Sequence, residues 1–306
     1  MRIAIMGTGG VGGFFGAKLA LAGHDVTFIA RGAHLEAMRR DGLRVATDDG
    51  ELHVAQPQAT DDPRSIAPVE AVLFTTKLYD TEAAARSLKS VLGEEGFVVT
   101  VQNGITSAET IGAVLGRERV LAGTTHVVSH LAGPGRVHHM GNLKRIIFGE
   151  ADGSLSARGR RFESALAESG IDVELSPEID RVLWEKFVPL SVMSGLASVV
   201  RAPIGVLLED AETRALVETA IDEAVAVAYA MQVPLAADAA AMFKGRLAGA
   251  PAATKPSMLV DLEAGRRLEL PWFSATVARL GSEHGVPTPT HAFVAAALHP
   301  HVEGQA

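Results

Sequence analysis

The residues with the clearest chemical meaning lie in the first 31 positions, MRIAIMGTGGVGGFFGAKLALAGHDVTFIAR. Gly7, Gly9 and Gly12 stand in G-x-G-x-x-G spacing, with Thr8, Gly10 and Val11 between them. Such a turn suits a pyrophosphate when it follows a strand and opens a helix: one glycine permits the tight turn, one admits the phosphate, and one lets helix and strand pack closely. The helix start adds unpaired N–H groups and a positive dipole end. The flanking sequence fits, because Ile3 to Met6 is a short apolar run, a helical pattern runs through Phe14, Leu19 and Leu21 to Gly23, and Val26 to Ile29 is a second strand-like run. Dinucleotide binding is the expectation. A site for NAD calls for a carboxylate at the end of that second strand. The chain instead reads Ile29-Ala30-Arg31. The planar fork of Arg31 suits a 2′-phosphate, so NADPH is expected over NADH.

Three further residues invite a chemical reading. Lys77 and Asn103 close two apolar, strand-like runs, Ala71 to Thr76 and Phe97 to Gln102. Ligands of doubly wound sheets bind beyond the carboxyl ends of strands; a surface lysine and a plain Asn-Gly turn are the alternatives. Lys186 shares a helix face with Val182 and Leu190, so it either snorkels to water or is held for chemistry. Pro189 follows and deprives the Glu185 carbonyl of its intrahelical donor. His126, His138 and His139 have no ligand spacing, and no metal site is expected.

The elements that must hold these residues fall into two halves. Up to about residue 175 strands and helices alternate, the pattern of a doubly wound parallel sheet. Helices are expected at 33–40 and from Asp80 to Leu92, with Asp80 as cap, and a hairpin about Asp48-Asp49-Gly50. A short strand is expected at 120–123, with antiparallel additions over 126–149. A helix at 156–169 and a last strand at 171–175 follow. From Ser176-Pro177, read as an N-cap with proline in the first turn, the chain looks wholly helical. The expected fold class is therefore α/β: an N-terminal Rossmann-type doubly wound sheet over 1–175 and an all-helical domain over 176–306. Helices are expected at 215–231, 236–247, 259–266, 273–284 and 290–298.

Composition sets bounds on all of this. The 306 residues are 47% apolar and 21% charged, ordinary for a globular enzyme. A net charge of −8 argues against nucleic acid as the main partner. The absence of cysteine excludes disulfides, thiolate nucleophiles and Cys-ligated metals. The N-terminus has a superficial likeness to a signal peptide, but Lys18 and the glycines interrupt it. The longest apolar run, 187–200, contains Pro189, Ser191 and Ser194 and falls short of a membrane span. A cytoplasmic protein, free of membrane and nucleic-acid partners and able to form a homodimer, is expected.

Farther on lie Lys255-Pro256-Ser257-Met258-Leu259, Asp261, and Gly265-Arg266-Arg267-Leu268-Glu269-Leu270. With the N-terminal glycines, Arg31, Lys77, Asn103-Gly104 and Trp184-Glu185-Lys186, they run in an order that resembles the ketopantoate reductases over nearly the whole length. That resemblance implies NADPH-dependent reduction of a small 2-oxo acid, 2-dehydropantoate to pantoate in pantothenate biosynthesis, at a cleft between a Rossmann and a helical domain. It implies Lys186 as general acid and Glu269 as its electrostatic support and a cofactor contact. Asn103 would orient cofactor and substrate, Lys77 would reach the adenosine ribose or its phosphate, and Ser257 and Ser194 would face the substrate. The chain departs from the family where asparagines stand four and eight residues after the lysine and five after the glutamate: here they are Leu190, Ser194 and Ser274. A less polar 2-oxo acid, or a related hydroxyacid dehydrogenase reaction, is the alternative; a non-catalytic NADP-binding sensor is an alternative of another class.

Overall fold

The computed structural model describes residues 1–305 and divides into two compact units, one ending at Ile179 and one starting at Asp180. The first is built from β1 (Arg2–Met6), α1 (Gly10–Leu21), β2 (Asp25–Ile29), α2 (Gly32–Asp41), β3 (Leu43–Thr47), β4 (Gly50–Val54), β5 (Gln58–Thr60), β6 (Val69–Phe74), α3 (Thr81–Ser87), β7 (Leu92–Thr100), α4 (Ser107–Leu115), β8 (Val120–Gly133), β9 (Arg136–Gly149), α5 (Ala157–Glu168) and β10 (Asp172–Leu175). Its sheet runs β4-β3-β9-β8-β7-β6-β1-β2-β5, with β10 also paired to β9.

Strand alternation fills both faces of the sheet. Ile3, Ile5, Leu73, Phe97 and Val99 point to one core with Phe14, Phe15 and Phe162, whereas Ala4, Met6, Val72, Phe74 and Val98 point to the other with Leu88 and Ile111. Successive strand side chains face opposite ways, so a sheet covered by helices on both sides reads as a continuous apolar run. β1 pairs in parallel with β2 on one side and β6 on the other. The strand order reverses there, which is the topological switch point of such sheets.

The sheet is mixed, the expected hairpin forming as antiparallel β3–β4 and the expected antiparallel addition as β8–β9. Two expectations need correction. The short strand at 120–123 is only the start of the 14-residue β8, which continues into the long hairpin with β9. The helix from Asp80 stops at Ser87: Leu92 is drawn into register with Val69 of β6, so Gly93 lies inside β7 rather than ending a helix.

The second unit begins at its boundary with α6 (Ile179–Val200), followed by α7 (Ile204–Glu209), α8 (Ala211–Ala230), α9 (Ala239–Ala248), α10 (Ser257–Glu263), α11 (Ser274–Glu283) and α12 (Pro289–Leu298). α6 starts two residues later than its Ser-Pro signal, and Ser176 Oγ accepts instead from the Glu178 N–H at 3.2 Å. It continues unbroken through Pro189. By length and composition α6 could cross a membrane, contrary to the expectation from the shorter run, but 67% of its apolar window is buried, as in a core helix.

Buried Glu223 of α8 caps α12 from outside. Its two carboxylate oxygens accept from the Thr290 and His291 N–H groups at 2.9 and 3.1 Å, where Thr288, the local cap residue, makes no side-chain bond. The imidazole of His291 lies 3.0 Å from the Ala220 carbonyl of α8, tying the same two helices. Glu223→Ala therefore orphans two buried amides and should cost about 2–4 kcal/mol in urea unfolding, with Glu223→Gln losing less because one acceptor oxygen survives. An unfolding midpoint for Glu223→Ala equal to that of the wild type would contradict this role.

Candidate active site

The first unit brings four sequence-predicted features to the carboxyl ends of adjacent strands. The glycine turn follows β1, Arg31 follows β2, Lys77 lies three residues past β6, and Asn103 lies three past β7. Gly7 has φ +94°, a conformation open to glycine at little cost, and a Cβ there would stand 2.8 Å from the Thr76 backbone N. A Cβ on Gly12 would collide with the Gly7 carbonyl oxygen and Thr75 Oγ1. Gly9 differs: a Cβ there would meet nothing within 4 Å, so the space outside this turn is open to a ligand. No side chain caps α1, and its first turn carries no acidic residue, leaving its positive end available to an anion. Thr8 sits behind the turn, its N–H and Oγ1 both donating to the Ile29 carbonyl at 3.0 and 3.1 Å. Val11 is half-buried, and Gly10 packs closely on the Ser129 and His130 backbone of β8.

Sequence reasoning missed the residue that aligns the other two strand ends. Gln102 is buried, and its Nε2 donates to the Thr76 carbonyl and to Thr81 Oγ1, each at 2.9 Å, while Thr100 Oγ1 donates to its Oε1 at 3.1 Å. Gln102 thus ties β7 to the turn after β6, on which Lys77 is carried, while Asn103 follows it directly. Thr75 Oγ1 donates to the Gly7 carbonyl at 2.7 Å, fastening that same turn to the glycines. A polar residue at a strand end was the only available signal, and it is shared with every loop.

Asp80 was expected to cap α3. Its carboxylate makes no cap bond and instead accepts from Arg31 Nη2 at 2.9 Å. Arg31 itself is exposed.

In the second unit Lys186 lies on α6, half-buried, with Val182 buried one turn before it and Leu190 half-buried one turn after. Burial strips water from its amine and lowers the pKa from 10.5 to about 8. The amine does not behave as one that has snorkelled into water. The charged form costs the fold stability; since the folded pKa is depressed, that cost is full below pH 8 or so and is relieved as pH rises toward 10.5. Pro189 frees the Glu185 carbonyl, and Arg246 of α9 supplies the missing donor, its Nη1 at 3.2 Å. The proline therefore leaves the helix at Lys186 intact.

Glu269 is buried at the N-cap position of a short 3₁₀ turn, Leu270–Trp272. Ser257, the first residue of α10, is exposed. Ser194 is fully buried and its Oγ, like those of Ser198 and Ser274, lacks a hydrogen-bond partner. Ser274 lies close to α6, since a Cβ on Gly195 would come within 2.6 Å of its Oγ. Among the described residues no group of three or more His, Asp or Glu is placed to hold a metal.

Two family descriptions match the chain: Ketopantoate reductase PanE/ApbA over residues 3–153 and Ketopantoate reductase PanE/ApbA C terminal over residues 178–302. The chain is 30% identical over 317 residues to a 2-dehydropantoate 2-reductase of Mesorhizobium japonicum, covering 95% of this chain and 94% of that one. It superposes with a TM-score of 0.91, at 30% identity and 98% coverage of both chains, on the crystal structure of a PanE/ApbA family ketopantoate reductase from Ralstonia eutropha. A D-mandelate dehydrogenase bound to NADH and anilino(oxo)acetate shares the fold, with a TM-score of 0.89 at 23% identity and 98% coverage of both chains.

If Arg246 replaces the amide that Pro189 lacks, Arg246→Ala should cost about 1–2 kcal/mol in urea unfolding, and at most half as much in a Pro189→Ala background, where an N–H returns to the Glu185 carbonyl. Equal costs in both backgrounds would contradict the replacement.

Proposed function

From the premise that the chain belongs to the ketopantoate reductase family, a family of oxidoreductases, we propose that it reduces a 2-oxo acid to a 2-hydroxy acid with NADPH, 2-dehydropantoate to pantoate being the leading substrate. The observation that carries this reading is the placement of Lys186 on α6 between buried Val182 and half-buried Leu190, where burial of its amine lowers the pKa to about 8. When bound, NADPH supplies the hydride. Reduction of a carbonyl leaves negative charge on oxygen, and an ammonium held out of water both stabilises that charge and surrenders its proton readily near neutral pH. Glu269, buried, is assigned to the electrostatic support of Lys186 and to a cofactor contact.

The residues of the first unit fit the coenzyme. The Gly7–Gly12 turn, with open space beside Gly9 and an uncapped α1, would receive the pyrophosphate. Arg31 and Lys77 would receive the adenosine ribose and its 2′-phosphate, and Asn103 would orient nicotinamide and substrate. Ser257 would bind the substrate, and Ser194 offers a hydroxyl with no partner of its own. The reaction would draw on the cytoplasmic coenzyme pool.

A second substrate reading has its own support. Leu190 offers no hydrogen bond, and Ser194 and Ser274 are shorter than the family's asparagines. A site poor in polar partners discriminates weakly for a hydroxylated substrate. The test follows NADPH oxidation with 2-dehydropantoate and a panel of branched 2-oxo acids, in the wild type and in Lys186→Ala. The variant should lose about 10²–10⁴-fold in kcat, the span of a general acid. Wild-type turnover in Lys186→Ala would remove the lysine from its role. A preference for simpler oxo acids would change the substrate and keep the chemistry, and coenzyme binding without any turnover would favour a sensor.

The rate should also follow the ionisation of Lys186. Reduction needs its protonated form, so kcat/KM should be level at neutral pH and fall with rising pH above 8 or so. A profile that stays level to about pH 10 would contradict a general acid of this pKa.

A further inference from the structure

Aspartate at a helix N-cap ordinarily accepts from the amides of the first turn. Asp80 stands at that position before α3 and makes no such bond. Its carboxylate accepts from Arg31 Nη2 at 2.9 Å. The pair joins the segments that follow β2 and β6, the two strands flanking β1, and so bridges the carboxyl end of β1 where the glycine turn begins. The carboxylate is the fixed member. Its own N–H donates to the Lys77 carbonyl at 3.0 Å, Thr81 Oγ1 donates to the Leu78 carbonyl at 2.7 Å, and Gln102 holds Thr81 in turn. Arg31 is the freer member, its side chain 76% exposed against 35% for Asp80.

The sequence has no carboxylate at the end of β2, and this absence favours a coenzyme with a 2′-phosphate. The fold returns a carboxylate to the side chain at that end from a segment 49 residues away. A carboxylate accepts from a ribose hydroxyl and repels a phosphate, the opposite of what a guanidinium does. We propose that Asp80 is a coenzyme-specificity residue: it competes with the 2′-phosphate for Arg31 and limits the preference for NADPH that Arg31 confers. The proposal rests on the dinucleotide reading above and goes beyond it, because it makes the selectivity the outcome of a pair rather than of Arg31 alone.

The test measures dissociation constants for NADPH and NADH by coenzyme fluorescence, and for 2′,5′-ADP and 5′-AMP by competition. The proteins are wild type, Asp80→Asn, Arg31→Ala and the double variant. Asp80→Asn should tighten NADPH and 2′,5′-ADP about threefold to tenfold, the range for an exposed charge pair, with NADH unchanged or weaker. The gain should vanish in the Arg31→Ala background and shrink at high salt. A change of NADPH/NADH selectivity below about twofold, or an equal change with Arg31 absent, overturns the proposal alone. Failure of the wild type to bind either coenzyme overturns both the proposal and the dinucleotide reading. Binding of NADH by Asp80→Asn shows that the variant is folded.

Discussion

An amine held out of water is the constraint on which the proposed chemistry depends. A lysine in the middle of a helix ordinarily reaches solvent by its own length. Lys186 does not, and burial pulls its pKa down to about 8. Keeping it there requires a helix that holds its course on either side of the lysine. α6 is such a helix, although it contains a proline three residues on. The carbonyl that Pro189 leaves without an amide takes a guanidinium N–H from Arg246. Trp184 and Phe187, packed edge to face at 5.3 Å and both buried, flank the lysine in sequence.

The first unit solves a different problem, which is to present backbone rather than side chains. Gly7 and Gly12 let β1 turn directly into α1 against Thr75 and Thr76, and the hydroxyl of Thr75 fastens the carbonyl of Gly7. Gln102 extends the same fastening to β7. Positions at four strand ends become one frame because a few buried hydrogen bonds connect the loops between them. Networks of this kind hold their geometry when every member is satisfied, and Gln102 finds partners for both its amide nitrogen and its oxygen.

Much of this was legible in the sequence, and the exceptions share a cause. The glycine turn, the hairpin at Asp48-Asp49 and the helical second half are local features, each written in adjacent residues. Asp80 looked like a cap because local chemistry says so, yet an arginine 49 positions away competes successfully for its carboxylate. The helix after it ended early because Leu92 pairs with Val69, a tertiary preference invisible to helical periodicity. The orphaned Glu185 carbonyl could be anticipated from Pro189, but its donor, 61 residues on, could not. Nothing local in the sequence singles out Glu223, which the fold aims at two amides of α12. What sequence reading misses here is the long-range partner of a side chain, because spacing along the chain carries no record of it.

In the proposed reaction Lys186 gives up a proton near neutral pH. Isotope labelling of the lysine side chains, with Lys186 assigned by loss of its signal in Lys186→Met, would let its ionisation be followed directly by NMR. A midpoint of about 8, well separated from the ordinary lysines, is expected. A midpoint at the ordinary value of 10.5 would contradict this and return Lys186 to the role of a solvated surface charge.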